Sequence, residues 1–110
     1  MNITDKRLED ALVERANTDE KHAELKTKVE YLDWEKKHLK GVFINTLDEK
    51  NSFSNREQKW YASDTYKEHI EKQSVNMKEF LKLDNKRKHE KDVIEIWRTL
   101  QANRRQGNVS

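Results

Sequence analysis

The sequence predicts an all-α fold, a long antiparallel helical hairpin that is coiled-coil-like and oligomeric. Three observations carry this expectation. The 110 residues include no Pro and only two Gly, so little interrupts a helix. Charged residues make up 40% of the chain, with 23 Lys or Arg nearly cancelling 21 Asp or Glu, a mixture that favours long, solvated helices. Apolar residues recur at alternating steps of four and three, the heptad spacing of a helix seam. Leu, Ile, Val and Phe together number only 23 of 110, close to the roughly 20% at which disorder becomes common. The core is therefore expected to be thin, shared along a seam or between subunits.

The first helix is expected over about residues 4–47. Leu25, Val29, Leu32, Leu39 and Phe43 form its stripe, with Lys36 the one polar interruption. Upstream, Leu8, Ala11 and Leu12 begin a similar stripe that Arg15, Thr18 and His22 dilute. Asn17 or Thr18 is able to cap a fresh helix. Either one helix covers 4–47 or a short extra N-terminal helix precedes a longer one. Gly41 costs about 1 kcal/mol relative to Ala inside a helix and marks a kink or a close helix approach.

The stretch DEKNSFSN (48–55) is the expected loop, with Ser54 and Glu57 as a capping box for the next helix. That helix is expected to run without a breaker over about residues 56–106, ahead of a short tail. Ala62, Tyr66, Ile70, Met77, Phe80, Ile94 and Trp97 give it a sparse stripe. The wholly polar DNKRKHEKD (84–92) is either solvated helix or a break recapped at Asp84 or Asn85. Gly107 suits the position past a helix end, where φ is positive. Two such helices, at 1.5 Å rise per residue, make a single hairpin domain roughly 65–75 Å long. Its seam, or that of an oligomer, is assigned to Leu25, Val29, Leu32, Leu39, Phe43, Tyr66, Ile70, Met77, Phe80 and Ile94. A hairpin of this kind leaves apolar surface half covered, and self-association is the natural completion.

Several function classes are disfavoured. The chain has no Cys, hence no disulfide framework or thiolate chemistry, which fits a reducing cytoplasm. No apolar run approaches the ~20 residues of a membrane span, and the acidic, amphipathic start does not read as a leader peptide. There is no Gly-rich phosphate loop, nucleophile elbow or zinc-type Cys/His spacing. Glu35 and His38 have the Glu-x-x-His spacing of di-metal bundles, and a hairpin would bring them near Asp64, Glu68 and His69. A second copy of the motif is missing, and Lys36 and Lys37 sit between the would-be ligands. No metal, cofactor or catalytic residue is expected, and the protein reads as a non-enzyme.

Charge is unevenly spread. Residues 1–20 carry three cations against six acids, whereas residues 81–110 carry eight against four. A basic end on a balanced body suggests an anionic partner there. On a helix, Arg87, Lys91, Arg98 and Arg105 line one stripe, with Lys86, Lys88, Trp97 and Arg104 beside it. Cations that track phosphates and a ring that stacks a base are what single-stranded nucleic acid requires. The competing reading is a packed Trp97 and a helix C-terminus favouring Lys and Arg through its dipole.

Two stretches, SNREQKWYASDTYKEHI (54–70) and LDNKRKHEKDVIEIWRTLQANRRQG (83–107), resemble small bacteriophage proteins that accompany recombination and replication genes. The shared features are a capped E-x-K-x-Y-A-S helix start and a KR…WR…ANRR-x-G ending. The size, the long hairpin and the basic end are also similar to UvsY-type recombination mediators. That resemblance implies an oligomeric helical ring, binding of single-stranded DNA and loading of a RecA-like recombinase. The family's basic-aromatic motif before its loop is not matched, since HLKGVFINTLDEK stands at that place, and no site residue carries over from it. The resulting expectation is a non-catalytic, homo-oligomeric accessory in phage recombination or replication, cytoplasmic and binding single-stranded DNA rather than RNA. Lys86, Arg87, Lys88, Lys91, Trp97, Arg98, Arg104 and Arg105 are its contacts, and a recombinase or other replication protein is its partner. The alternative is a coiled-coil adaptor or inhibitor acting only through protein contacts.

Overall fold

The computed structural model describes residues 2–48 and 50–109. Glu49, within the expected loop, lies outside the described residues, as do Met1 and Ser110. Among the described residues there are three helices and no strand: α1 (Asp5–Asn45), α2 (Phe53–Tyr61) and α3 (Asp64–Val109). The fold is the expected all-α helical hairpin, with α1 and α3 antiparallel. It divides into two compact units, one formed by Met1–Ala23 with Leu81–Ser110 and the other by Glu24–Phe80.

Capping explains the boundaries. Thr4 accepts the Arg7 amide at 3.1 Å and starts α1. The helix then runs unbroken past Asn17 and Thr18, because the Thr18 hydroxyl donates to the Glu14 carbonyl at 2.7 Å and satisfies itself within the helix. One helix, not two, therefore occupies this stretch. Gly41 marks no close helix approach, since a Cβ built there meets nothing within 4 Å, and α1 continues through it to Asn45.

The expected capping box is displaced. Ser52, not Ser54, caps α2, accepting the Asn55 amide at 3.2 Å. Glu57 is instead held by the Lys40 ammonium at 3.0 Å. The second helix is also interrupted, at Ala62 and Ser63. The Ser63 hydroxyl donates to the Trp60 carbonyl at 2.6 Å and accepts the Tyr66 amide at 3.2 Å, ending α2 and starting α3 with one side chain. Residues 84–92 remain helical throughout, and α3 continues through Gly107 with no positive φ among the described residues.

In the unit built from residues 24–80, Leu25, Leu32, Ile44 and Trp60 are buried. Val29, Leu39, Phe43, Tyr66 and Phe80 are half-buried, while Ile70 and Met77 are exposed. This is a correction to the seam on α3: the residues turned inward are His69 and Asn76, one position earlier. The physical reason is that polar residues occupy seam positions. The His69 Nε2–H donates to the Leu32 carbonyl at 2.8 Å, and its Nδ1 lies 3.4 Å from Glu35.

In the other unit the apolar core is small: Ala11, Val93 and Ile94, with Ile3 and Leu8 packed against them. Much of the remaining seam is charged. Arg7 forks onto Glu90 with bonds of 2.7 and 2.9 Å, His22 Nε2 lies 2.9 Å from Asp84, and Lys86 reaches Glu14 at 2.7 Å. Along α3, positions 69, 73, 76, 80, 83, 87, 90, 94, 97 and 101 are all buried or half-buried. Those steps of four and three form an unbroken heptad pattern in which six of the ten members are polar or charged.

Candidate nucleic-acid interface

The C-terminal turns of α3 hold all eight residues expected to meet nucleic acid, and they fall into three groups. Arg87 is a correction. It is 8% exposed, with its guanidinium donating to the Arg15 carbonyl and the Thr18 hydroxyl, each at 2.8 Å, and to the Asp19 carboxylate. It faces α1 and not solvent, because the stripe that joins it to Ile94 is the inner face of the helix.

Lys86 and Lys88 are exposed but paired, with Glu14 and with Asp84, both at 2.7 Å. The pairing with Glu14 raises the Lys86 ammonium above its ordinary value. Lys88, and then His22, hold the Asp84 carboxyl below the usual carboxylate range. Trp97 is half-buried, and its indole N–H is enclosed without an acceptor among the described residues. That placement is of a ring packed on the hairpin.

Lys91, Arg98, Arg104 and Arg105 form the third group. All four are exposed. Asn103 to Gly107 are exposed without exception, because α3 outruns α1 there. With Ala11 beside Val93 and Ile94, one-for-one antiparallel pairing sets Asp5, the first residue of α1, opposite about residue 99 or 100, and α3 continues past that point to Val109. From Arg98 to the end the chain has three Arg and no acidic side chain.

No family model matches this chain, and neither a curated protein nor a solved structure is significantly similar to it.

A second surface, not anticipated from the sequence, lies where α2 meets α1 and α3 in the unit of residues 24–80. Trp60, 1% exposed, packs between Phe43 and Tyr66 with ring centroids 5.5 Å from each, and Tyr66 meets Tyr61 edge-on at 5.1 Å. Lys36, Lys37 and Lys40 border these rings around a recess of about 320 Å³. The Lys40 ammonium bonds Glu57 and the Tyr61 hydroxyl, 3.0 and 3.2 Å away. Those contacts, Glu57 first, raise it above the ordinary lysine value. The available signal was three lysines at i, i+1 and i+4 on α1 and a Trp-Tyr pair ending α2; their spacing along the chain does not show that they meet.

No group of three or more His, Asp or Glu able to hold a metal ion occurs among the described residues. Glu35 and His69 do meet, but as a pair within the seam. No helix of the described residues is long and apolar enough to cross a membrane.

Proposed function

We propose that this protein is a non-catalytic accessory that binds single-stranded DNA, without sequence preference, through the last turns of α3. The observation that carries this reading is that Lys91, Arg98, Arg104 and Arg105 are exposed and make no ion pair with any described residue. By contrast, Lys86, Arg87 and Lys88, which lie over α1 or one turn from an acid, are all neutralised. Unpaired cations, of which Arg98, Arg104 and Arg105 lie on the acid-free arm, attract phosphate through long-range charge and release its counterions on contact. The resemblance to phage recombination and replication proteins supports a cytoplasmic setting in one of those processes, with a recombinase or other replication protein as partner. Self-association is part of the proposal, supported by the exposure of Trp34, Phe53 and Val75. It is tested by sedimentation, where a folded 13.3 kDa monomer at high concentration would exclude it.

The experiment is anisotropy of a labelled oligothymidylate against salt. The combined change of Arg98, Arg104 and Arg105 to Ala should leave helix content intact. It should also flatten the log–log salt slope by up to about 2, at about 0.7 for each phosphate no longer neutralised. An unchanged slope and affinity would reject the arm as the binding element.

One observation favours the adaptor reading as a second possibility. On the outer face of α1, Tyr31, Trp34 and His38 form an exposed ladder. The Trp34 and His38 rings stack at 5.3 Å and 6°, and Tyr31 lies 6.0 Å from Trp34. Exposed aromatic residues of this kind are typical anchors of protein interfaces.

A further inference from the structure

We infer that the recess bordered by Lys36, Lys37, Lys40, Trp60, Tyr61 and Tyr66 binds one nucleotide, its base against the tyrosine rings and its phosphate on the lysines. This site is independent of the C-terminal arm. Three features found together support it.

The first is size. A volume of about 320 Å³ lies at the low end of small-ligand sites, which start near 300 Å³. A single nucleotide suits this space, and a larger ligand does not.

The second is the construction of the walls. Trp60 is immobilised between Phe43 and Tyr66, and Tyr61 is held by its edge-on contact with Tyr66 and by the Lys40 bond to its hydroxyl. These rings are fixed before any ligand arrives. Tyr61 remains half open to solvent, so a planar group has a rigid face to meet. Stacking of this kind tolerates any base, because every base has a π-face.

The third is the division of labour among the lysines. Lys40 is committed to Glu57 and Tyr61 and acts as a structural strut. Lys36 and Lys37 share a single acid, Asp33, at loose distances of 3.9 and 3.4 Å. Their shared partner leaves one positive charge in excess at the mouth, and the Lys37 side chain is 75% exposed. A lysine ammonium is a mobile point charge that binds phosphate without demanding a fixed geometry. An aromatic wall with an excess ammonium at its rim matches the amphipathic make-up of a nucleotide. Neither an apolar ligand nor a bare anion uses both halves.

The nucleotide has two sources, free in solution or within a single strand, and one experiment covers both. Trp34→Phe with Trp97→Phe leaves Trp60 as the sole tryptophan, on the wall of the recess. Its emission is followed during addition of thymidine monophosphate, oligothymidylate, thymidine and inorganic phosphate. A response to the monophosphate or the oligonucleotide is expected, with thymidine and phosphate at least about tenfold weaker because each offers only half the contacts. Response to the monophosphate identifies a free-nucleotide site, and response to the oligonucleotide alone identifies a strand site. Lys36→Ala with Lys37→Ala, and separately Tyr61→Leu, should weaken the response about tenfold while circular dichroism stays unchanged. Calorimetric titration of the parent chain with the same four probes should rank them identically, which guards against a background that folds poorly. Absence of binding by both nucleotide probes, or binding indifferent to the lysine and tyrosine changes, would overturn the inference. Loss of oligonucleotide binding in the arm variant with the Trp60 response retained would separate the two sites.

Discussion

Arg15 and Arg87 exchange hydrogen bonds across the hairpin: each guanidinium donates to the other residue's backbone carbonyl, at 2.7 and 2.8 Å. Two cations meet at one seam without repelling the helices apart, because each aims its charge at an oxygen. A helical carbonyl keeps a second lone pair after its own helix bond, and the Asp19 carboxylate balances Arg87. Arg87 is thereby taken out of the set of residues available to a ligand.

Arg87→Met should accordingly leave oligonucleotide affinity and its salt slope unchanged, in contrast to the arm variant. Its stability should stay within about 1 kcal/mol of the parent, because the large penalty for breaking a buried ion pair comes from a charge left buried and unpaired. The remaining partner, Asp19, is itself exposed and is not left as a buried lone charge. Urea denaturation together with anisotropy checks both halves. A loss of affinity in a fully folded variant would return Arg87 to the interface.

The thin core concentrates stability in a few side chains. Leu32 is 2% exposed and Trp60 1%. Leu32→Ala should cost about 2–5 kcal/mol and Trp60→Ala about 3–5 kcal/mol, read as a fall in the urea midpoint. Leu83→Ala, at a half-buried position, should cost less than either.

Ser63 closes one helix and opens another. Ser63→Ala removes the acceptor for the Tyr66 amide and should cost about 0.5–2 kcal/mol. Ser63→Asp should retain the N-cap and most of that stability. Thermal unfolding of the two variants distinguishes a cap from a side chain that is merely polar.

Acid should destabilise the fold. Arg7 holds the Glu90 carboxyl below the usual carboxylate range, and Lys88 and His22 do the same for Asp84. A depressed carboxylate contributes stability that is fully present above its unfolded value, about 4. That contribution is lost as pH falls through the folded value. The urea midpoint should therefore fall below about pH 4. Arg7→Gln removes the main cause of the Glu90 depression and should make that decline shallower.

The helical hairpin was legible because breakers are scarce and Leu25, Leu32 and Ile94 carry the heptad spacing. The inner face of α3 was less so, because the apolar residues there are decoys. Ile70 and Met77 are exposed, while His69, Asn76, Arg87 and Glu90 are turned inward. A polar residue at a seam position looks like surface until its partner on the other helix is known. Arg7 and Glu90 are 83 residues apart in the chain, a separation that spacing along one helix does not reveal. The break at Ser63 was hidden by Ala62 and Asp64, both compatible with continuous helix, and only the two bonds of the Ser63 hydroxyl identify it. The exposed arm residues Arg98, Arg104 and Arg105 were readable as a cluster of cations. Which of their neighbours were already neutralised was not.

The polar members of the seam also fix how the two helices are set against one another. A wholly apolar heptad seam is degenerate, since sliding one helix by seven residues again puts apolar against apolar. In this chain, a seven-residue slip of α3 would place Leu83 or Trp97 opposite Arg7 in place of Glu90, taking from the buried Glu90 carboxylate the guanidinium that pairs it. A misaligned hairpin is therefore penalised at Glu90. Buried polar residues commonly trade stability for alignment in this way, and here the gain is a single permitted length of arm beyond the end of α1.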